Sequence, residues 1–173
     1  MKVMFWLLLA LVALSACAKP AAERPPDFNL VFEWDTGALP PQYHYAYVIR
    51  LEPDGIGELV YSPGYEPLTQ PDTWRAAFSL SPDQMDDLYA LLRGGNMLRS
   101  DWQTGQPLVG GQGTHIRITA DGKTYEVPSV SVLTQSEREK VENLMEGIRS
   151  FVPAGIWEEM EARQAQFEAD FEY

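Results

Sequence analysis

The residues best suited to chemistry are few. Two histidines, His44 and His115, could serve as metal ligands or bases near neutral pH. Neither sits in a metal-ligand spacing or beside a cysteine. The run Val109-Gly110-Gly111-Gln112-Gly113-Thr114 has the glycines of a phosphate cradle. It lacks the lysine, however, and leads into a predicted strand instead of a helix N-terminus that could hold an anion. No Gly-x-Ser-x-Gly elbow occurs that would expose a serine nucleophile. Asp86-Asp87 and Glu158-Glu159 pair carboxylates, yet neighbours on a helix point about 100° apart and cannot share a substrate atom. The sequence calls for no catalytic set, no metal and no cofactor.

Tyr43, Tyr45 and Tyr47 alternate along a predicted strand with His44, Ala46 and Val48. If helices cover the Ala46/Val48 side, the three tyrosines form an amphipathic binding surface suited to protein or glycan. If helices cover the tyrosine side, the stripe is core.

The one cysteine, Cys17, ends a run of one basic residue, an unbroken apolar stretch and then small residues, which is the layout of a secretory signal. The apolar stretch falls short of the roughly 20 residues that span a bilayer and has no basic stop-transfer cluster after it. Leu14-Ser15-Ala16-Cys17 resembles the lipobox of bacterial lipoproteins. The resemblance implies cleavage before Cys17, a diacylglycerol on its thiol and a further acyl chain, such as palmitate, on its freed amine. Each buried methylene adds roughly 0.8 kcal/mol, so two or three chains hold a protein on a membrane where one does not. Ala18 and Lys19 stand where inner-membrane-retained relatives carry Asp, which implies the outer membrane, facing the periplasm, in a host that has one. In any other host the implied address is the outer face of the cell membrane.

The chain beyond residue 16 is the size of one domain and can bury a core without staples. The whole chain carries a net charge of −12, and removal of residues 1–16 takes away only Lys2, so the remainder is more acidic still. Such a surface repels nucleic-acid phosphates and anionic headgroups, which leaves an envelope protein as the expected macromolecular partner beside the lipid anchor.

Residues 17–27, rich in proline, read as a tether. Residues 28–34, 43–51, 57–62 and 73–80 read as strands, the middle two joined at Pro53-Asp54-Gly55. Ser81-Pro82-Asp83-Gln84 is a helix start with a capping box, Leu80 and Met85 can staple it, and Gly94-Gly95 is its stop. Asp121-Gly122 predicts a hairpin between 113–120 and 123–128. A second helix spans 134–151, with Ser136-x-x-Glu139 as its capping box. A third starts at Ile156 with Met160, Phe167 and Phe171 at helical spacing.

The resulting expectation is an α+β fold: an antiparallel sheet, made of a meander and an Asp-Gly hairpin, with two to three helices on one face. The plan is similar to that of small exported bacterial domains whose function is not established. The chain divides into a signal at 1–16, a lipidated tether at 17–27, a domain at 28–155 and an acidic amphipathic helix at 156–173. The expected role is a non-enzymatic, membrane-anchored binding or adaptor module of the cell envelope. The alternative is a protein inhibitor of an extracellular or periplasmic protease, offering a loop such as 63–71.

Overall fold

The computed structural model describes residues 23–65 and 73–171. Six strands form one antiparallel sheet: β1 (Asn29–Asp35), β2 (Tyr45–Leu51), β3 (Ile56–Pro63), β4 (Trp74–Ser79), β5 (Gly113–Ala120) and β6 (Lys123–Val127), in the order β4-β3-β2-β1-β5-β6. The first four strands make a meander, and β5 returns to the free edge of β1. Three helices, α1 (Pro82–Gly94), α2 (Gln135–Arg149) and α3 (Ala154–Asp170), cover one face, which is the expected α+β architecture.

Strand alternation decides which side chains meet the helices. Leu30, Phe32, Tyr47, Ile49, Leu51, Leu59, Tyr61, Ile116 and Ile118 are buried with Met85, Leu88 and Leu92 of α1 and with Val141, Leu144 and Ile148 of α2. The opposite parity gives the uncovered face, where Arg50 and Arg75 flank Glu58, and Arg117 and His115 flank Glu126. Charges fit there because that face stays in water.

Helix α1 starts as its sequence dictates. The amide of Gln84 donates to the Ser81 hydroxyl, and the Ser81 amide donates to the Gln84 side chain. The glycine pair does not supply its left-handed stop. Gly95 is right-handed, and Asn96 takes φ 57° so that the amides of Asn96 and Met97 reach the carbonyls of Arg93 and Leu92. Asn can do this because its short polar side chain tolerates the left-handed region.

Helix α2 differs from expectation at its start. Its N-cap is Thr134, without a side-chain cap, and no Ser136 capping box forms. The preceding Val130–Val132 3-10 turn is tied down by Arg138, which donates to the carbonyls of Val130 and Leu133.

The Asp121-Gly122 hairpin is present, with φ 53° and 69° at the two residues. Its amides are capped by Asp27, at 2.9 and 2.6 Å. Arg24 pairs with Asp86 of α1 at 2.7 Å, so the end of the proline-rich stretch is docked on the domain. Helix α3 lies on the sheet as well: Met160 and Gln164 are buried, and the Gln164 amide donates to the carbonyl of Gln42.

Candidate functional site

The strand register lines up aromatic residues across four strands. Trp34, Tyr47, Tyr61 and Trp74 are successive cross-strand partners on the helix-covered face, and Tyr45 lies two residues along β2 on the same face. Ring centroids stand 5.1 Å apart for Trp34–Tyr47, 5.1 Å for Tyr45–Tyr61 and 5.4 Å for Tyr61–Trp74, each pair stacked. Trp157 of α3 meets Tyr47 edge-on.

The tyrosine stripe expected on one strand is divided by this arrangement. Pro40-Pro41 start a 3-10 turn, so Tyr43 precedes β2 and is 50% exposed. Tyr45 is half-buried, and Tyr47 is 1% exposed beneath the helices. Tyr45 and Tyr47 therefore do not form an outward surface with Tyr43, because the side left bare is that of Ala46 and Val48. Burial pushes the Tyr47 hydroxyl up to about 12, and it raises Tyr45 and Tyr61 as well. All three remain neutral at physiological pH.

Arg149, at the end of α2, is the residue that sequence spacing missed. Its guanidinium lies 4.3 Å from the Trp157 ring centroid and 5.2 Å from that of Tyr47, and it donates to the Tyr47 hydroxyl at 2.9 Å. The Trp157 indole donates in turn to the Arg149 carbonyl at 3.2 Å. Among the described residues no carboxylate comes within 4.0 Å of this half-buried cation, although the chain has 25 Asp and Glu. Nothing in the local sequence signals the pairing, since Tyr47 is 102 positions away.

Two grooves flank Arg149. One, of about 310 Å³, lies between Trp34 and Arg149 and is rimmed by Gln112, Glu142, Asn143 and Glu146. The other, of about 330 Å³, runs between Arg149 and Trp157 with Glu158 and Glu161 on its edge. A third groove, of about 410 Å³, crosses the uncovered face past Glu33, Asp35, Val48 and His115. Its polar groups are occupied with one another. Asp35 accepts from the amides of Gly37 and Gly113, and His115 sits between Glu33 at 3.8 Å and Glu126, which also holds Arg117. In the groove between Trp34 and Arg149, by contrast, the side chains of Glu142, Asn143 and Glu146 make no hydrogen bond or ion pair with another described residue.

His44 stacks on Tyr65 with centroids 3.8 Å apart, and its Nδ1 lies 3.0 Å from both the Thr36 hydroxyl and the Gly37 carbonyl. It stands before β2, while His115 is on β5 with β1 between those strands, so the fold does not join the two histidines. Among the described residues no group of three His, Cys, Asp or Glu side chains could hold a metal. Asp86 pairs with Arg24, and Glu159 with Arg163. The glycine run leads into β5, as its composition predicts, and its Gly110 and Gly111 backbone packs against Gly37. At φ 74°, a Cβ on Gly37 would stand 2.4 Å from the Gly111 carbonyl oxygen. Cys17 and residues 66–71 of the 63–71 loop lie outside the described residues.

No protein-family model and no curated protein matches this chain.

Proposed function

We propose that this chain is a lipid-anchored, extracytoplasmic binding module, exported by residues 1–16 and held on the envelope membrane through Cys17. Its role on this reading is recognition without catalysis. The supporting observation is an opposition between the two ends of the sheet. Arg24 and Asp27 tie the start of the domain to the end that carries the Gly55 and Gly122 turns, through Asp86, Pro53 and the hairpin amides. Strand β1 then runs seven residues, roughly 20 Å, to the other end. There the loops hold Leu39, Tyr43, Leu108 and Val109, four of the five exposed large apolar side chains among the described residues, with only Ile56 at the tethered end, and Trp34 and Gln112 open the groove toward Arg149. A tether fixed at one end presents the other to partners, and exposed apolar side chains gathered on loops are the usual signature of a contact surface.

The test is Cys17→Ser in cells fed labelled palmitate. The variant loses the label and leaves the membrane fraction, while the wild type keeps both. Label that persists on the variant, or a wild-type protein found in cytosol with residues 1–16 intact, overturns the reading.

A further inference from the structure

We propose that the groove between Trp34 and Arg149 is a subsite for a neutral saccharide. This deepens the binding role proposed above and rests on it. Its volume of about 310 Å³ falls at the low end of the range for small-molecule sites, about 300–1,000 Å³.

The rim chemistry selects the ligand. Arg149 can only donate, Glu142 and Glu146 can only accept, and Gln112 and Asn143 do both. A cation entering the groove meets the positive charge of Arg149, which is held by Tyr47 and Trp157 and has no carboxylate within 4.0 Å among the described residues, and an anion meets the two glutamates. A polyhydroxylated ligand without net charge satisfies donors and acceptors together and meets no like charge. Each hydroxyl both donates and accepts, so vicinal pairs suit planar amide, carboxylate and guanidinium groups.

The aromatic wall supplies the second half of recognition. Trp34 stacks on Tyr47 and is itself held by a hydrogen bond from its indole nitrogen to Gln112, at 3.2 Å. A pyranose offers an apolar C–H face to such a ring while its edge hydroxyls reach the polar rim. The wall is also preorganised. Arg149 is clamped between Tyr47 and Trp157, so little side-chain entropy remains to be lost when a ligand arrives.

The experiment is an NMR titration of the purified full-length protein in a detergent that has no sugar headgroup. The probes are cellotetraose, chitotetraose and maltotetraose, with pentalysine and trigalacturonate as charged counterparts. At least one neutral saccharide should shift the Trp34 indole, the Gln112 and Asn143 amides and the Arg149 guanidinium saturably. Asn143→Ala and Glu146→Gln, both at exposed positions on α2, should each weaken that binding by about tenfold while leaving the rest of the spectrum unchanged. Silence with all three saccharides overturns the subsite, as does a response to pentalysine or trigalacturonate alone, or binding unaltered in both variants. Palmitate labelling without saccharide binding removes the subsite and leaves the anchored module standing. Saccharide binding without labelling does the reverse.

Discussion

Asp27 lies two residues before β1, and its carboxylate accepts both amide hydrogens of the Asp121-Gly122 turn across 94 and 95 positions of sequence. The Gly122 amide, ahead of the Asp121 amide, holds Asp27 below its ordinary value of 3.8. The ionised form is the one that accepts. Its contribution to stability is therefore complete above that ordinary value and is lost as pH falls through the lowered value of the folded state. Asp27→Ala should lower the urea midpoint at pH 7, and the gap from wild type should close under acid conditions below 3.8. A gap that stays constant through that window would mean that the carboxylate charge is irrelevant to the turn. A Gly-containing hairpin was legible at this position from two residues, but the remote acid that caps it was not, because no local spacing connects them.

Helix α1 depends on a local device and α3 on a remote one, and the two should respond differently to single changes. Ser81→Ala removes one half of a formed capping box and should cost about 1 kcal/mol, read as a lowered thermal midpoint with unchanged helix content. Met160 is 1% exposed and is the buried anchor of a helix whose other face is mostly charged. Met160→Ala should cost about 3 kcal/mol in denaturant unfolding. A loss well below 1 kcal/mol would show that α3 contributes little to the domain. The start of α1 could be read from Ser81, Pro82 and Gln84 because capping acts within four residues. Helix α2 misled at Ser136 because Arg138 fastens the incoming turn through its backbone carbonyls, an interaction without a spacing rule. The choice between the two sides of β2 was undecidable from periodicity, since Tyr45/Tyr47 and Ala46/Val48 both suit burial. What decides it is the cross-strand row, in which Tyr47 meets Trp34 and Tyr61 and carries Arg149 above it.

At the scale of the whole molecule the sheet acts as a spacer, and that property can be measured independently of any ligand. Lys123 starts β6 beside the turn that Asp27 caps, whereas Val109 is fully exposed on the loop before β5 at the other end. If acyl chains on Cys17 hold the domain, the thiol of that residue is consumed, and a cysteine introduced elsewhere is the only one available for labelling. Lys123→Cys and Val109→Cys, each carrying the same fluorophore in the lipidated protein, then report the height of the two ends above a bilayer. Strand β1 separates them by roughly 20 Å, more than a Debye length of about 8 Å in physiological salt, so the far loops also stand clear of the headgroup field. Lipids spin-labelled near the headgroup should quench the fluorophore at position 123 more strongly than the one at 109. The acidic surface, more negative than −12 once residues 1–16 are removed, keeps the domain as a whole from settling on anionic lipid. Equal quenching would mean that the domain lies flat, and stronger quenching at 109 would place the loop end and its groove against the membrane, where a soluble partner could not reach them.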